Sequence, residues 1–315
     1  MADKTWPRTP VVDFTAALDT STLKGKSVLV TGGASGIGLA CVEAFAKHGA
    51  VVTVVDLQEE AGQAIAKELT SMGHKVQFVQ CDVTSYEAQA KAFKSAVQFG
   101  GGKLDIAFPN AGVLAQKNLF EMVAHTVPSL DSHPPEPGFS SVDVNLRGVY
   151  YSCYLALHYF RLPAPSASIP FKKSIVLLAS VVGYMGYAPS TTYSMSKFGV
   201  RGIFHSIRAH GFEQDLQVRI NLVAPWYVKT PMTTDLTATA NIFGFAPMEG
   251  VVDAVLRLAG NEEIASRAVA IFPEGNFDVG DDIWGDFAGP KFTEMIGKRM
   301  EAISKAMEAI GEATA

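Results

Sequence analysis

Short runs of apolar, mostly β-branched residues alternate along this chain with longer stretches whose apolar positions recur at helical spacing. Ser27–Thr31 (SVLVT) runs into a glycine cluster and then into helix-like sequence from about Ile37 to His48. Val51–Asp56 (VVTVVD) precedes a helix rich in Ala and Glu that reaches Met72, and Lys75–Val83 (KVQFVQCDV) precedes a helix to about Phe99. Further strands are predicted at Leu104–Gly112, Ser174–Ser180, Val218–Pro225 and Arg267–Pro273. Apolar strands separated by helix-length segments imply right-handed crossovers and a parallel sheet covered on both faces. The expected fold is α/β, a single doubly wound domain over residues 25–275, with an N-terminal extension, 1–24, and a C-terminal extension, 276–315.

Prolines interrupt this pattern at Ser129–Phe139 and Leu162–Phe171, which therefore read as surface loops, because proline continues neither a helix nor a central strand. After Phe292, the positions Met295, Ile296, Met300, Ile303, Met307 and Ile310 form one apolar stripe and predict an amphipathic helix. It would pack on its own subunit, with a subunit contact or a cover over substrate as alternatives.

Composition narrows the functional classes. A net charge of −5 supplies no broad basic surface for a nucleic-acid backbone, so nucleic acid is excluded as partner. Cys41, Cys81 and Cys153 lie far apart with no companion histidines, which argues for reduced thiols and no metal site. The first residues lack a signal-type apolar stretch, and no apolar run is long enough to span a bilayer. A cytoplasmic protein is expected.

The turn after the first strand reads Thr31-Gly32-Gly33-Ala34-Ser35-Gly36-Ile37-Gly38. Glycines let backbone approach a pyrophosphate, and the N–H groups and dipole of the following helix favour its charge. Asp56 ends the second strand near the spacing at which an acid accepts hydrogen bonds from an adenosine ribose. Its carboxylate would repel a 2′-phosphate, and neither Ala34-Ser35 nor Leu57-Gln58 supplies a cation, so NAD is expected over NADP.

Tyr193 and Lys197 stand four residues apart in a helix-like segment and so share a face. An ammonium there would stabilise the phenolate and lower the phenol's pKa. Ser180 ends a strand at the carboxyl edge, where open α/β sheets bind ligands, and its hydroxyl would hold a substrate oxygen.

Taken together these motifs resemble the single-domain branch of the short-chain dehydrogenase/reductase family, over about Lys24 to Pro273. That likeness implies a Rossmann-type sheet. Beyond Gly32, Ser35, Gly36, Ile37, Gly38 and Asp56, it implies cofactor contacts from Asp82-Val83, Asn110-Ala111-Gly112, Pro225, Val228 and Thr230. It also implies a catalytic tetrad of Asn145, Ser180, Tyr193 and Lys197, in which Tyr193 moves the proton, Ser180 orients the reacting oxygen and Lys197 holds the nicotinamide ribose. Homodimers or homotetramers are expected by the same likeness, through helices near Val149–Arg161 and Thr192–His210. The sequence departs from the family at Pro225-Trp226, where Pro-Gly is usual, and at Phe108-Pro109 before the Asn-Ala-Gly motif.

The substrate region offers Val182, Tyr184, Met185, Tyr187, Trp226, Met232, Ile242, Phe243 and Phe245 with little charge, which suits a bulky hydrophobic or aromatic alcohol. In overall pattern the chain is similar to the fungal prostaglandin-dehydrogenase-like group, which includes polyketide enzymes of the hydroxyaverantin-dehydrogenase type. The reading is an NAD-dependent secondary-alcohol dehydrogenase of secondary metabolism working toward the ketone. Its rivals are a carbonyl reductase, a non-catalytic NAD-binding regulator, and an epimerase or dehydratase, the last disfavoured by glycine spacing and by the short tail after Pro273.

Overall fold

Along each strand successive side chains point to opposite faces of one sheet, and here both faces are apolar. The structure, a computed structural model, describes residues 9–114, 117–163, 171–210, 218–236 and 244–280. Residues Thr9–Val279 form one compact unit. Its strands are β1 (Ser27–Thr31), β2 (Val51–Asp56), β3 (Lys75–Gln80), β4 (Ile106–Pro109), β5 (Ser174–Leu178), β6 (Arg219–Pro225), β7 (Ala268–Phe272) and β8 (Gly275–Asp278). They lie in the order β3-β2-β1-β4-β5-β6-β7-β8, all parallel except the β7–β8 hairpin.

On β1, Val28 and Val30 face one core with Val42 and Phe45 of helix α1 (Gly36–Lys47), while Leu29 faces another with Phe93 and Ala96 of α3 (Tyr86–Phe99). Strands buried on both faces read as continuous apolar runs for this reason. The other α-helices among the described residues are α2 (Glu59–Ser71), the short α4 (Leu119–Ala124), the single turn α5 (Ser140–Val142), α6 (Val149–Tyr159), α7 (Thr191–His210) and α8 (Met248–Gly260). Between α5 and α6 the chain winds as a π-helix over Asp143–Gly148.

Several elements differ from the sequence reading: β4 stops at Pro109 and β5 at Leu178, short of the predicted Gly112 and Ser180, and α4 has no predicted counterpart. β3 stops at Gln80 rather than Val83, because Asp82 turns back to accept from the Thr84 N–H and hydroxyl at 2.8 Å each. The hairpin strand β8 was not anticipated, since GNFD carries no strand-like run, and α8 fills a stretch to which no element was assigned. Ser129–Phe139 has no regular structure, as its prolines imply. Most of the Leu162–Phe171 insert and the C-terminal apolar stripe lie outside the described residues.

The topology also sets where a ligand goes. From β1 the chain winds outward to β3 and then returns to β4 on the other side, so β1 and β4 flank a switch point. Thr31 pairs with Pro109, which sets the glycine loop beside the Asn110-Ala111-Gly112 turn. β4 and β5 pair only at Ile106↔Ser174 and Ala107↔Ile175, and their carboxyl ends part.

Candidate active site

A cleft of about 350 Å³ opens along the carboxyl edge of the sheet. Its first wall is Gly32, Ser35, Gly36 and Ile37 with Asp56 at its end; its floor is Asp82, Val83, Asn110, Ala111 and Gly112. Ser180, Tyr193 and Lys197 close the far end with Pro225, Trp226, Val228 and Thr230. A second cavity of about 130 Å³, lined by Val182, Tyr187 and Met185, shares Ser180, Tyr193, Trp226 and Met232 with the first. The structure thus brings the predicted cofactor and substrate residues to two spaces that meet at Ser180 and Tyr193. Tyr184 and Phe245 line neither cavity, and Ile242 and Phe243 lie outside the described residues.

Of the predicted cofactor and catalytic residues, Gly38 and Asn145 stand behind the walls. A Cβ on Gly38 would fall 2.0 Å from the Gly32 carbonyl oxygen and 2.5 Å from Asn110 Nδ2, so only glycine lets α1 begin this close to the loop. Asn145 sits fully buried in the π-helical segment, where its Oδ1 accepts from the Val113 N–H (2.7 Å). Its Nδ2 donates to the Val113 carbonyl (2.9 Å) and to Ser196 Oγ (3.1 Å). Asn145 is a positioning residue that ties the β4 loop to α7.

The cofactor wall has the donor set an anionic dinucleotide requires. Gly32 and Gly36 adopt φ of +64° and +53°, Ser35 caps α1 without a side-chain bond, and no acid stands in the first turn. Asn110 spends its amide N–H groups on the Thr31 and Gly32 carbonyls, while its Oδ1 is buried without a partner. An orphaned acceptor in an otherwise satisfied turn fits a site completed by a ligand. Asp56 accepts from the Ala34 N–H (2.9 Å) and the Gln58 N–H (3.0 Å), which fixes its carboxylate at the cleft edge.

At the reacting end, the spacing-based view of Tyr193 needs correction. Burial pushes the phenol up to about 12, opposed by a hydrogen bond from Ser180 and reinforced by nearby Tyr227. Lys197 is engaged elsewhere. Its Nζ stands 5.5 Å from the Tyr193 ring centre and donates to the Leu178 carbonyl at 3.1 Å, and burial draws the ammonium down to about 8. Desolvation disfavours the charged form of each. Ser180 accepts from the Val182 N–H (3.2 Å) and shares its proton between Tyr193 and the Pro225 carbonyl (3.3 Å).

Some lining residues escape sequence reasoning. Leu114, Tyr227 and Thr233 line the second cavity, and Thr233 Oγ1 accepts from the Thr230 N–H (3.0 Å) while donating to the Val228 carbonyl (2.7 Å). The signal for Tyr227 was its place beside Trp226, where the chain departs from Pro-Gly. The three cysteines are buried free thiols; Cys81 lines the cleft, and burial raises it to about 11. No described helix is long and apolar enough to cross a membrane.

A parallel sheet with a glycine-loop cleft at its switch point, ending on a buried Ser-Tyr-Lys group, defines a dinucleotide-dependent oxidoreductase class. The short chain dehydrogenase profile matches residues 26–241, and the chain belongs to that family. It is 44% identical to a 5′-hydroxyaverantin dehydrogenase of Dothistroma septosporum, over 90% of this chain and 96% of that protein. It is 31% identical to an NADP-dependent dehydrogenase of a Phoma species, over 87% of this chain and 85% of that one. A Brucella melitensis structure described as a short-chain dehydrogenase/reductase, glucose/ribitol dehydrogenase, shares the fold with a TM-score of 0.64 at 24% identity, covering 79% of this chain and 96% of that one.

Proposed function

We propose that the protein is an NAD-dependent dehydrogenase that interconverts a secondary alcohol and a ketone on a bulky hydrophobic or aromatic molecule of polyketide-type secondary metabolism. The observation that carries this is the meeting of the two cavities at Ser180 and Tyr193. The likeness to a hydroxyaverantin dehydrogenase supports the substrate class. For NAD speaks the end of the cleft at Asp56, where Asp82 is acidic too and no cation stands, Lys197 at the other end being the one cation among the described lining residues. A 2′-phosphate beside Asp56 would meet charge repulsion.

Bound at the glycine loop, Asp56 and Lys197, a nicotinamide dinucleotide supplies the hydride acceptor or donor. The chain's residues do the rest. Ser180, held by Val182 and Pro225, presents a hydroxyl to the reacting oxygen. Tyr193 holds its proton at neutral pH and is ready to give it to a ketone oxygen as general acid; in the oxidative direction it takes the alcohol proton as general base. Its raised pKa means that this second role depends on positive charge brought to the site.

The test is NADH production against a panel of hydrophobic secondary alcohols, repeated with Tyr193→Phe. Turnover should fall by at least about a thousandfold in the variant while NADH binding persists, since only the proton carrier is removed. Substantial residual turnover would overturn the mechanism.

A further inference from the structure

Beyond the tetrad, the second cavity contains a pair of phenols inside an apolar shell. Leu114, Val181, Val182, Met185 and Met232 supply its walls. Tyr187 stands edge-on to Tyr193, with ring centres 6.2 Å apart, and its hydroxyl is hydrogen-bonded to that of Tyr227. Both phenols are fixed at their backbones. The Tyr187 N–H donates to Ser194 Oγ (3.0 Å), which returns a bond to the Tyr187 carbonyl (3.3 Å), so α7 carries Tyr187 and Tyr193 as one unit. On the facing side, the Tyr227 carbonyl accepts from the Ala246 N–H (2.7 Å), and its ring lies edge-on to Trp226 at 5.1 Å.

Hydroxyls placed in an apolar cavity cost free energy unless they find partners. One bond between the two uses one hydroxyl proton and leaves the other proton, and unshared lone pairs, to a ligand. Neither group is needed for proton transfer at the reacting carbon, which Ser180 and Tyr193 already serve. We propose that Tyr187 and Tyr227 form a second recognition point that reads a hydroxyl or carbonyl oxygen carried by an aromatic substrate away from its reacting carbon. This rests on the dehydrogenase reading above and adds to it that the substrate is an oxygenated aromatic rather than a plain hydrocarbon alcohol.

The experiment compares 6-hydroxy-2-acetonaphthone with 6-methyl-2-acetonaphthone, a near-isosteric pair differing in one polar group. Ketone reduction by NADH is measured with the wild type, Y187F and Y227F, and the affinity of each ketone is measured by quenching of tryptophan fluorescence. The wild type should prefer the hydroxy compound by roughly tenfold in kcat/KM and in Kd, and each variant should bring that ratio down at least about fivefold. A general loss of packing would lower both compounds together and leave the ratio standing, which would overturn the proposal. A wild-type ratio near one would overturn it too. The titration needs no turnover: selectivity in binding without reduction of either ketone keeps the phenol pair and overturns the dehydrogenase reading instead.

Discussion

Between β1 and β4 the cleft is walled by main chain, with Gly32, Gly36 and the first turn of α1 on one side and Ala111 and Gly112 on the other. After β5 and β6 the wall is made of side chains, among them Tyr187, Trp226, Tyr227 and Met232. Backbone donors can grip only what every dinucleotide offers, namely phosphate charge and ribose hydroxyls. Side chains on loops can change shape and polarity without disturbing a strand, so specificity for substrate resides there. Tyr193 and Lys197 stand where the two walls meet and inherit the cost of both, since burial opposes charge on each.

That junction is the place where the contrast breaks most sharply. Lys197→Met should cut turnover on the order of a thousandfold, yet raise the stability of the ligand-free protein at neutral pH. The buried ammonium, drawn from 10.5 to about 8, costs roughly 3 kcal/mol, and the lost bond to the Leu178 carbonyl returns only about 1. A lower melting temperature in the variant would show that the lysine is structural. The wild type carries the same signature in its pH dependence. Above about pH 8 the native lysine has shed a proton that the unfolded chain still binds, so its burial penalty is relieved as pH rises toward 10.5. Above pH 10 the sign reverses, because native Tyr187 and Tyr193, both raised to about 12, keep protons that the unfolded chain loses. Chemical denaturation at several pH values would trace both limbs.

On the main-chain wall, Gly38→Ala probes close packing rather than charge. Its methyl would have to displace the Gly32 carbonyl and Asn110, so NADH binding should weaken by roughly a hundredfold with a loss of about 1–3 kcal/mol in stability. Near-normal binding by fluorescence titration would mean that the loop is looser than its contacts indicate. The smallest effect is expected at the outer edge of that wall. Asp56→Asn should weaken NADH binding about tenfold and bring the NADPH affinity closer to it, because one oxygen acceptor remains while the repelling charge is gone. Equal changes for both cofactors would refute the discriminating role.

The strands, the glycine loop and the Tyr193–Lys197 spacing were legible because each is set by neighbours in sequence. Apolar runs mark buried strands, and a helix brings positions four apart to one face whatever surrounds it. The hairpin strand β8 was not legible, since its residues are held by β7 rather than by any pattern of their own. Nor was the protonation of Tyr193, which the spacing taken alone assigns to the lysine four residues on. Burial is a property of everything packed around a group, and no local spacing reports it.

Asn145 shows the same division from another direction. Its motif could be recognised, but that its amide would be taken up by Val113 and Ser196, binding one loop to α7, follows only from where the π-helical turn brings it. Sequence by itself determined which apolar runs become buried parallel strands, the glycine turn after the first of them and the shared helix face of Tyr193 and Lys197, all consequences of short-range periodicity and of glycine's conformational freedom. Tertiary structure decided the electrostatics of those side chains and the company of Tyr187 and Tyr227, because desolvation and contacts between distant loops exist only once the sheet has brought them together.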